Sequence, residues 1–191
     1  MDADGLTLAC ATTAELRAAR RAGRHSALVG LGASNGVPDG PLVSFGLAGS
    51  LRDDLPVGTV LDATRVVSSD GVVLWEGEGL RVPGGRPATI LAAERIVDSA
   101  DERRGAHERT GADAVDLESG PLARSGRLRG VLRVVSDTPE QPLGALVGAV
   151  KRDGRNDWLG VARGVARSPR AALNAARAVN RLGAAARSWS P

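Results

Sequence analysis

The sequence predicts a mixed α/β fold, a β-sheet with helices on both faces, and three observations carry that prediction. Short apolar runs bounded by glycine and proline alternate with segments of helical spacing. The middle of the chain, from Val57 to Trp75, reads as extended and hairpin-like. The final stretch returns apolar residues at helical intervals. A length of 191 residues suits one domain over 1–191, large enough to bury its own core. No repeat and no long linker divides it.

Taken in order, Leu6–Ala11 is a short apolar run and reads as a buried strand. Thr13 is placed to cap a helix over Ala14–Ala22, with Glu15 in its first turn. Ala27–Leu31 is a second strand, followed by the turn-rich Gly32–Gly40. Leu42–Phe45 is a third, running into Gly46-Leu47-Ala48-Gly49. Val57–Val67 and Gly71–Trp75 form an extended pair. Thr89–Val97 fits strand or helix by periodicity, and the flanking prolines and glycines favour strand. Ser99 caps a helix that Gly111 ends. Ala114–Leu117 is a short strand, Gly120–Ser125 a short helix, and Val131–Ser136 a buried strand interrupted by Arg133. Asp157 and Ser168 look like N-caps, with Pro169 in the first turn. The last helix is expected to bury Leu173, Ala176, Val179 and Leu182.

Composition removes several functional classes. Although the isoelectric point is near 10.2, 25 cations against 22 anions leave a net charge of only +3. Lys151 is the only lysine, and the arginine, alanine and glycine excess fits a GC-rich coding sequence, so many arginines need no functional reason. Aromatics are 2% of the chain, too few for a base-stacking platform, so nucleic acid is not an expected partner. Cys10 stands alone, which rules out a disulfide framework. His25 and His107 lie far apart beside arginines, and no metal site is expected. The acidic Met1-Asp2-Ala3-Asp4 start and the lack of an eighteen-residue apolar run point to a cytoplasmic protein without membrane insertion.

The chemistry-bearing pattern is a set of carboxylates just past predicted strand ends, where open α/β sheets place their ligands. Glu15 follows the first strand, Glu118 follows Ala114–Leu117, and Asp137 follows Val131–Ser136. The glycines of Gly46–Gly49 let a ligand approach the backbone. Three carboxylates around one crevice suit a neutral or cationic transition state, not a strongly anionic substrate.

In their order along the chain, these segments resemble the purine nucleoside phosphorylase and methylthioadenosine/adenosylhomocysteine nucleosidase superfamily. Phe45-Gly46-Leu47-Ala48-Gly49-Ser50-Leu51 with Leu55-Pro56-Val57-Gly58-Thr59-Val60 is similar to its glycine segment and following strand. Ala114-Val115-Asp116-Leu117-Glu118-Ser119-Gly120 resembles its ribose-binding segment, and Leu132-Arg133-Val134-Val135-Ser136-Asp137 its catalytic-acid segment. Ala11-Thr12-Thr13-Ala14-Glu15 matches its first strand ending in glutamate. The serine-glycine after Glu118 and the Asp157-Trp158 tail look most like the hopanoid-associated nucleoside phosphorylases.

The resemblance implies a three-layer sandwich around a mixed, twisted sheet and cleavage of the N-glycosidic bond of a purine nucleoside. Hydrolysis and phosphorolysis both stay open, with phosphate as a co-substrate in the second and no other cofactor. It implies Asp137 as the acid that protonates the base, its pKa raised beside apolar strand residues, and Glu15 as the water-orienting group. Glu118 would anchor the ribose hydroxyls, Leu117 would touch the sugar, and Ala48, Gly49, Leu47 and Ser136 would complete the substrate site. Adenosylated hopanoids, methylthioadenosine and adenosylhomocysteine are the implied substrates, and a homodimer or larger homo-oligomer the implied assembly. Arg52, or an arginine from a neighbouring subunit, would meet phosphate.

Three features depart from the superfamily pattern. Leu47 replaces a small polar residue, the Glu15–Gly49 span is short near the N-terminus, and the Glu118–Asp137 span is about one helical turn short. Trp75, Phe45 and Trp158 are the only candidates to stack on the base. A relative that binds a nucleoside or partner without turnover is the competing expectation. Gly30–Gly36 invites a dinucleotide-loop reading, but Pro38 and Gly40 preclude the helix that would present its N-terminus to a pyrophosphate.

Overall fold

Eight strands make one mixed sheet in the computed structural model of the chain: β1 (Thr7–Cys10), β2 (Ser26–Leu28), β3 (Leu42–Ser50), β4 (Val60–Val67), β5 (Val73–Glu76), β6 (Arg86–Ala92), β7 (Ala114–Asp116) and β8 (Leu128–Asp137). The structure describes residues 5–190; Met1–Asp4, Pro191 and the side chains of Ala145, Val147 and Trp158 lie outside what it describes. Among the described residues, five α-helices complete it, α1 (Thr13–Arg21), α2 (Ala100–Thr110), α3 (Ser119–Arg124), α4 (Trp158–Arg167) and α5 (Pro169–Ser188), with short 3-10 turns at Leu31–Ala33 and Gly144–Ala149.

β3 is the organising strand. Along its first half it pairs in parallel with β1 on one side and with β8 on the other. Beyond Phe45, β7 takes over from β1 and pairs antiparallel through Gly49 and Ser50. Because β8 also pairs with β4, β4 with β6 and β6 with β7, the strands β3, β8, β4, β6 and β7 close a circuit. β2 extends the sheet outward from β1, and β5 from β4.

Helices cover both faces. Alternation along β8 sends Val131 and Val135 into one core layer, shared with Leu122 and Ala123 of α3. Leu132 and Val134 point the other way, against Ala178, Leu182 and Ala185 of α5. α2 covers a third, smaller cluster through Ala106.

The structure revises several expected boundaries. Thr12 rather than Thr13 caps α1, in a reciprocal capping box with Glu15. Gly46–Gly49 is the second half of β3 and not a loop after it, because pairing with β8 continues through Gly49. β2 stops at Leu28, and β6 stops at Ala92, well short of Val97. Gly30–Gly36 is a tight turn with no helix after it. Ser99 does cap α2, and Gly111 ends it with φ +68°. Asp157 and Ser168 occupy N-cap positions, yet neither side chain makes a capping bond.

On α5 the buried stripe is Ala171, Asn174, Ala178, Leu182 and Ala185, while Leu173 is 50% exposed and Ala176 is exposed. Small side chains let the helix lie close on β8 and α1, so alanines face inward where a hydrophobicity ranking selects leucine.

Candidate active site

The expected carboxylates line a single cavity of about 290 Å³. Glu15 comes from the first turn of α1, and Asp137 ends β8. Glu118 arrives from the opposite direction, since β7 runs antiparallel to β3 and drops the residues after it beside the middle of that strand. Leu47, Gly49, Leu117 and Ser136 also line the cavity. Ala48 does not; it packs in the core layer beneath α3.

Each carboxylate already has partners. Glu15 accepts the Leu47 N–H at 2.8 Å and the Thr12 N–H at 2.8 Å, so one side chain caps α1 and ties it to β3. Burial pushes its pKa up, against the pull of Arg133. Glu118 accepts the Gly32 N–H at 3.0 Å, which gives the glycine turn a structural purpose. Burial, then the charge of Asp116, pushes Glu118 up to about 8. Asp137 is held by the Arg103 guanidinium on Oδ2 and lies 2.5 Å from Ser136 Oγ through Oδ1. Asp137 is buried at the end of the apolar strand β8, and a buried cation, which the sequence did not suggest, sits against it.

Arg133 is the second buried cation. Its Nε donates to Asp116 Oδ2 at 2.6 Å and its Nη2 to Ser44 Oγ at 2.6 Å, with Glu118 Oε2 at 3.9 Å. The glycines make room for these groups. A Cβ at Gly46 would lie 2.5 Å from the Arg133 guanidinium and 2.6 Å from Glu15 Oε1, and one at Gly49 would lie 2.9 Å from Asp137 Oδ2. The chain's own charged side chains thus occupy part of the space that the missing side chains leave.

The remaining wall is aliphatic. Leu143, Leu146, Ala149 and Val150 come from the segment after β8, Ala175 and Val179 from α5, and Ile96 and Val97 from the connection after β6. No aromatic residue is among the described lining residues. Phe45 is fully buried in the core, and the Trp75 indole N–H donates to Leu128 O at 3.1 Å. Arg52 is bound to Asp54 and Asp113 and faces a separate cleft beside Arg104 and His107. The cations that do line the cavity are Arg95 and Arg103.

Two solved structures from Helicobacter pylori share this arrangement of strands and helices. The 5′-methylthioadenosine/S-adenosylhomocysteine nucleosidase superposes with a TM-score of 0.66 at 13% identity, over 97% of each chain. Futalosine hydrolase gives 0.65 at 13% identity, over 96% of this chain and 95% of the other. This chain has the nucleosidase fold. The Streptococcus pneumoniae methylthioadenosine/adenosylhomocysteine nucleosidase, solved with a transition-state inhibitor, agrees with a TM-score of 0.59 at 15% identity. These matches cover 91% of this chain or more, so the nucleosidase fold accounts for the helices after β8 as well as for the sheet. No protein-family model and no curated protein sequence matches the chain.

Within this nucleosidase fold, the sequence pattern missed Arg103, Arg133 and Asp116 as site-building residues. Arg133 carried a usable signal, since one charge inside an apolar strand must find a buried partner. Arg103 carried none, because α2 is polar nearly all round and nothing marks which arginine turns inward. Among the described residues, no cluster of His, Cys, Asp and Glu is arranged to hold a metal, and no helix is long and apolar enough to cross a membrane.

Proposed function

We propose that the chain cleaves the N-glycosidic bond of an adenine-type nucleoside. The observation that carries this reading is the convergence of Glu15, Glu118 and Asp137 on one cavity whose facing wall is aliphatic, in a nucleosidase fold. Breaking the bond builds positive charge on the ribose and negative charge on the departing base. Asp137 delivers a proton to the base, Glu118 holds the ribose hydroxyls, and Glu15 orients the attacking water. Glu118 acts in its ionised form, its proton lost to solvent before the substrate binds, so that a carboxylate faces the positive charge developing on the ribose. Leu117 contacts the sugar, with Leu47, Gly49 and Ser136 around it.

Hydrolysis is favoured over phosphorolysis. Arg103 and Arg95, the cations among the described lining residues, pair with Asp137 and Glu102, and Arg52 pairs with Asp54 and Asp113, so none of the three is held ready for a phosphate. The reaction calls for no cofactor beyond water. The aliphatic wall suits a nucleoside with an apolar 5′ substituent, and the H. pylori nucleosidase was solved in complex with a compound bearing a propynylthiomethyl arm. Methylthioadenosine and an adenosylated hopanoid fit that description; adenosylhomocysteine, whose 5′ arm ends in an ammonium and a carboxylate, fits it less well.

The second reading is binding without turnover. It is favoured by the partners that each carboxylate already has inside the fold. Chromatography of free base released from adenosine, inosine, methylthioadenosine and adenosylhomocysteine, with and without phosphate, separates the readings. Phosphate-independent adenine release establishes hydrolysis. Adenine binding without release from any nucleoside establishes the non-catalytic reading.

A further inference from the structure

Arg103 is 1% exposed, lines the cavity, and spends its guanidinium on three separate segments. Nε donates to Val97 O at 2.9 Å, Nη1 to Ser50 O at 3.3 Å, and Nη2 to Asp137 Oδ2. The end of β3, the connection after β6 and the end of β8 are thereby bracketed by one side chain. A buried arginine is costly to desolvate, and a methionine or leucine would serve packing alone at lower cost. Among the described residues its nearest carboxylate is Asp137, with Asp98 farther off at 3.7 Å.

Fold and sequence both prepare this contact. α2 begins at Ser99, whose hydroxyl accepts the Glu102 N–H, and this phasing turns Arg103 and Ala106 inward while the rest of the helix faces solvent. Gly49 leaves the space in which guanidinium and carboxylate meet, since a Cβ there would lie 2.9 Å from Asp137 Oδ2 and 3.3 Å from Arg103 Nη1. Ser136 engages the other oxygen, Oδ1. With a donor on each oxygen, the carboxyl plane is fixed, and the lone pairs left over point in set directions.

We propose that Arg103 is the positioning residue for Asp137, fixing the carboxyl group in the orientation in which it meets the base. This rests on the nucleosidase reading above, and it adds a residue that touches neither ribose nor water. Misplacing a reacting group by about 1 Å costs on the order of 100-fold in rate.

The test compares Arg103→Met, Arg103→Lys and Gly49→Ala with the unaltered chain. Methylthioadenosine is the turnover probe and adenine, followed by calorimetry, the binding probe. The expected result for Arg103→Met is a fall in kcat of about 100-fold, larger than the accompanying rise in KM. Arg103→Lys, or guanidinium added to Arg103→Met, should restore part of the rate. Gly49→Ala keeps both charges but crowds the pair, and should lower kcat in the same direction, which covers the case in which Arg103→Met does not fold. If the unaltered chain binds adenine but turns nothing over, the nucleosidase reading fails on its own. Arg103→Met should then still weaken adenine binding tenfold or more. Equal kcat, or equal adenine affinity, in folded Arg103→Met and unaltered chain would overturn the assignment, as would a loss that neither lysine nor guanidinium restores.

Discussion

The cavity has a charged side made by the sheet and an aliphatic side made by the segment after β8 and by α5, and the two are built in different ways. On the charged side every group is tied to another. Glu15 joins α1 to β3, Arg133 joins β8 to Asp116 at the end of β7, and Arg103 joins α2 to β3 and β8. On the aliphatic side Leu143, Leu146, Val150 and Val179 contribute only bulk and shape. Buried charges demand specific partners, whereas an aliphatic wall tolerates any side chain of similar volume. Substitutions on the two sides should therefore fail in different ways, the first in chemistry and stability, the second in selectivity.

The sharpest division comes from Asp137→Asn. The amide keeps an acceptor for Arg103 and a similar shape but has no proton to give as an acid. We expect base release to fall by about 100-fold to 10,000-fold, with an unchanged circular dichroism spectrum. Retention of more than a tenth of the rate would move the acid role elsewhere. Arg133→Met should instead act through stability. It leaves Asp116 without its buried cation, and breaking such a pair costs about 3–5 kcal/mol. For a chain of this size that corresponds to a drop in Tm of roughly 10 °C, read from a thermal melt.

The same division explains what could be read from the sequence. Strands and acids were legible because each leaves a local mark: apolar runs bounded by turn residues, and a carboxylate just past the run. Glu15, Glu118 and Asp137 were found that way, and all three line the cavity. The partners of those acids were not legible. Arg103 reaches Asp137 across 34 positions and Gly32 reaches Glu118 across 86, and no local pattern reports such distances. The glycines at 46 and 49 also make room for Arg133, Glu15 and Asp137, a use that no local pattern in the sequence reports. On α5 the small residues that face inward look, in sequence, like the weaker half of the helix. The aliphatic wall was invisible for a related reason: Leu143, Leu146, Val179 and Ile96 are ordinary apolar residues until tertiary packing brings them to one cavity.

pH separates the two sides further. Glu15 and Glu118 are both raised, the latter to about 8, so the folded chain holds protons that the unfolded chain releases near pH 4.5. The stability they contribute is fully present below that point and is lost as pH rises toward 8. Each such proton gives a slope of up to about 1.4 kcal/mol per pH unit. Melts from pH 5 to 8.5 should show Tm falling across this window, and Glu118→Gln should flatten the fall by about 3 °C per unit. Parallel curves for the two chains would mean that Glu118 titrates alike in folded and unfolded states.

The smallest effect tests the aliphatic side alone. Leu146→Ser places a hydroxyl in the wall without touching a charged group. If the wall holds the 5′ substituent, the variant loses contact with that substituent and leaves the ribose and base contacts in place. A loss of apolar contact in a pocket is worth about 1–3 kcal/mol, roughly tenfold or more in specificity. We therefore expect kcat/KM for methylthioadenosine to fall about tenfold further than kcat/KM for adenosine, with most of the difference in KM. An equal fall for both substrates would place the 5′ substituent away from Leu146 and leave the wall a role in general packing. A fall in kcat alone would mean that the wall feeds into the geometry of the charged side, and the two halves of the cavity would no longer be independent.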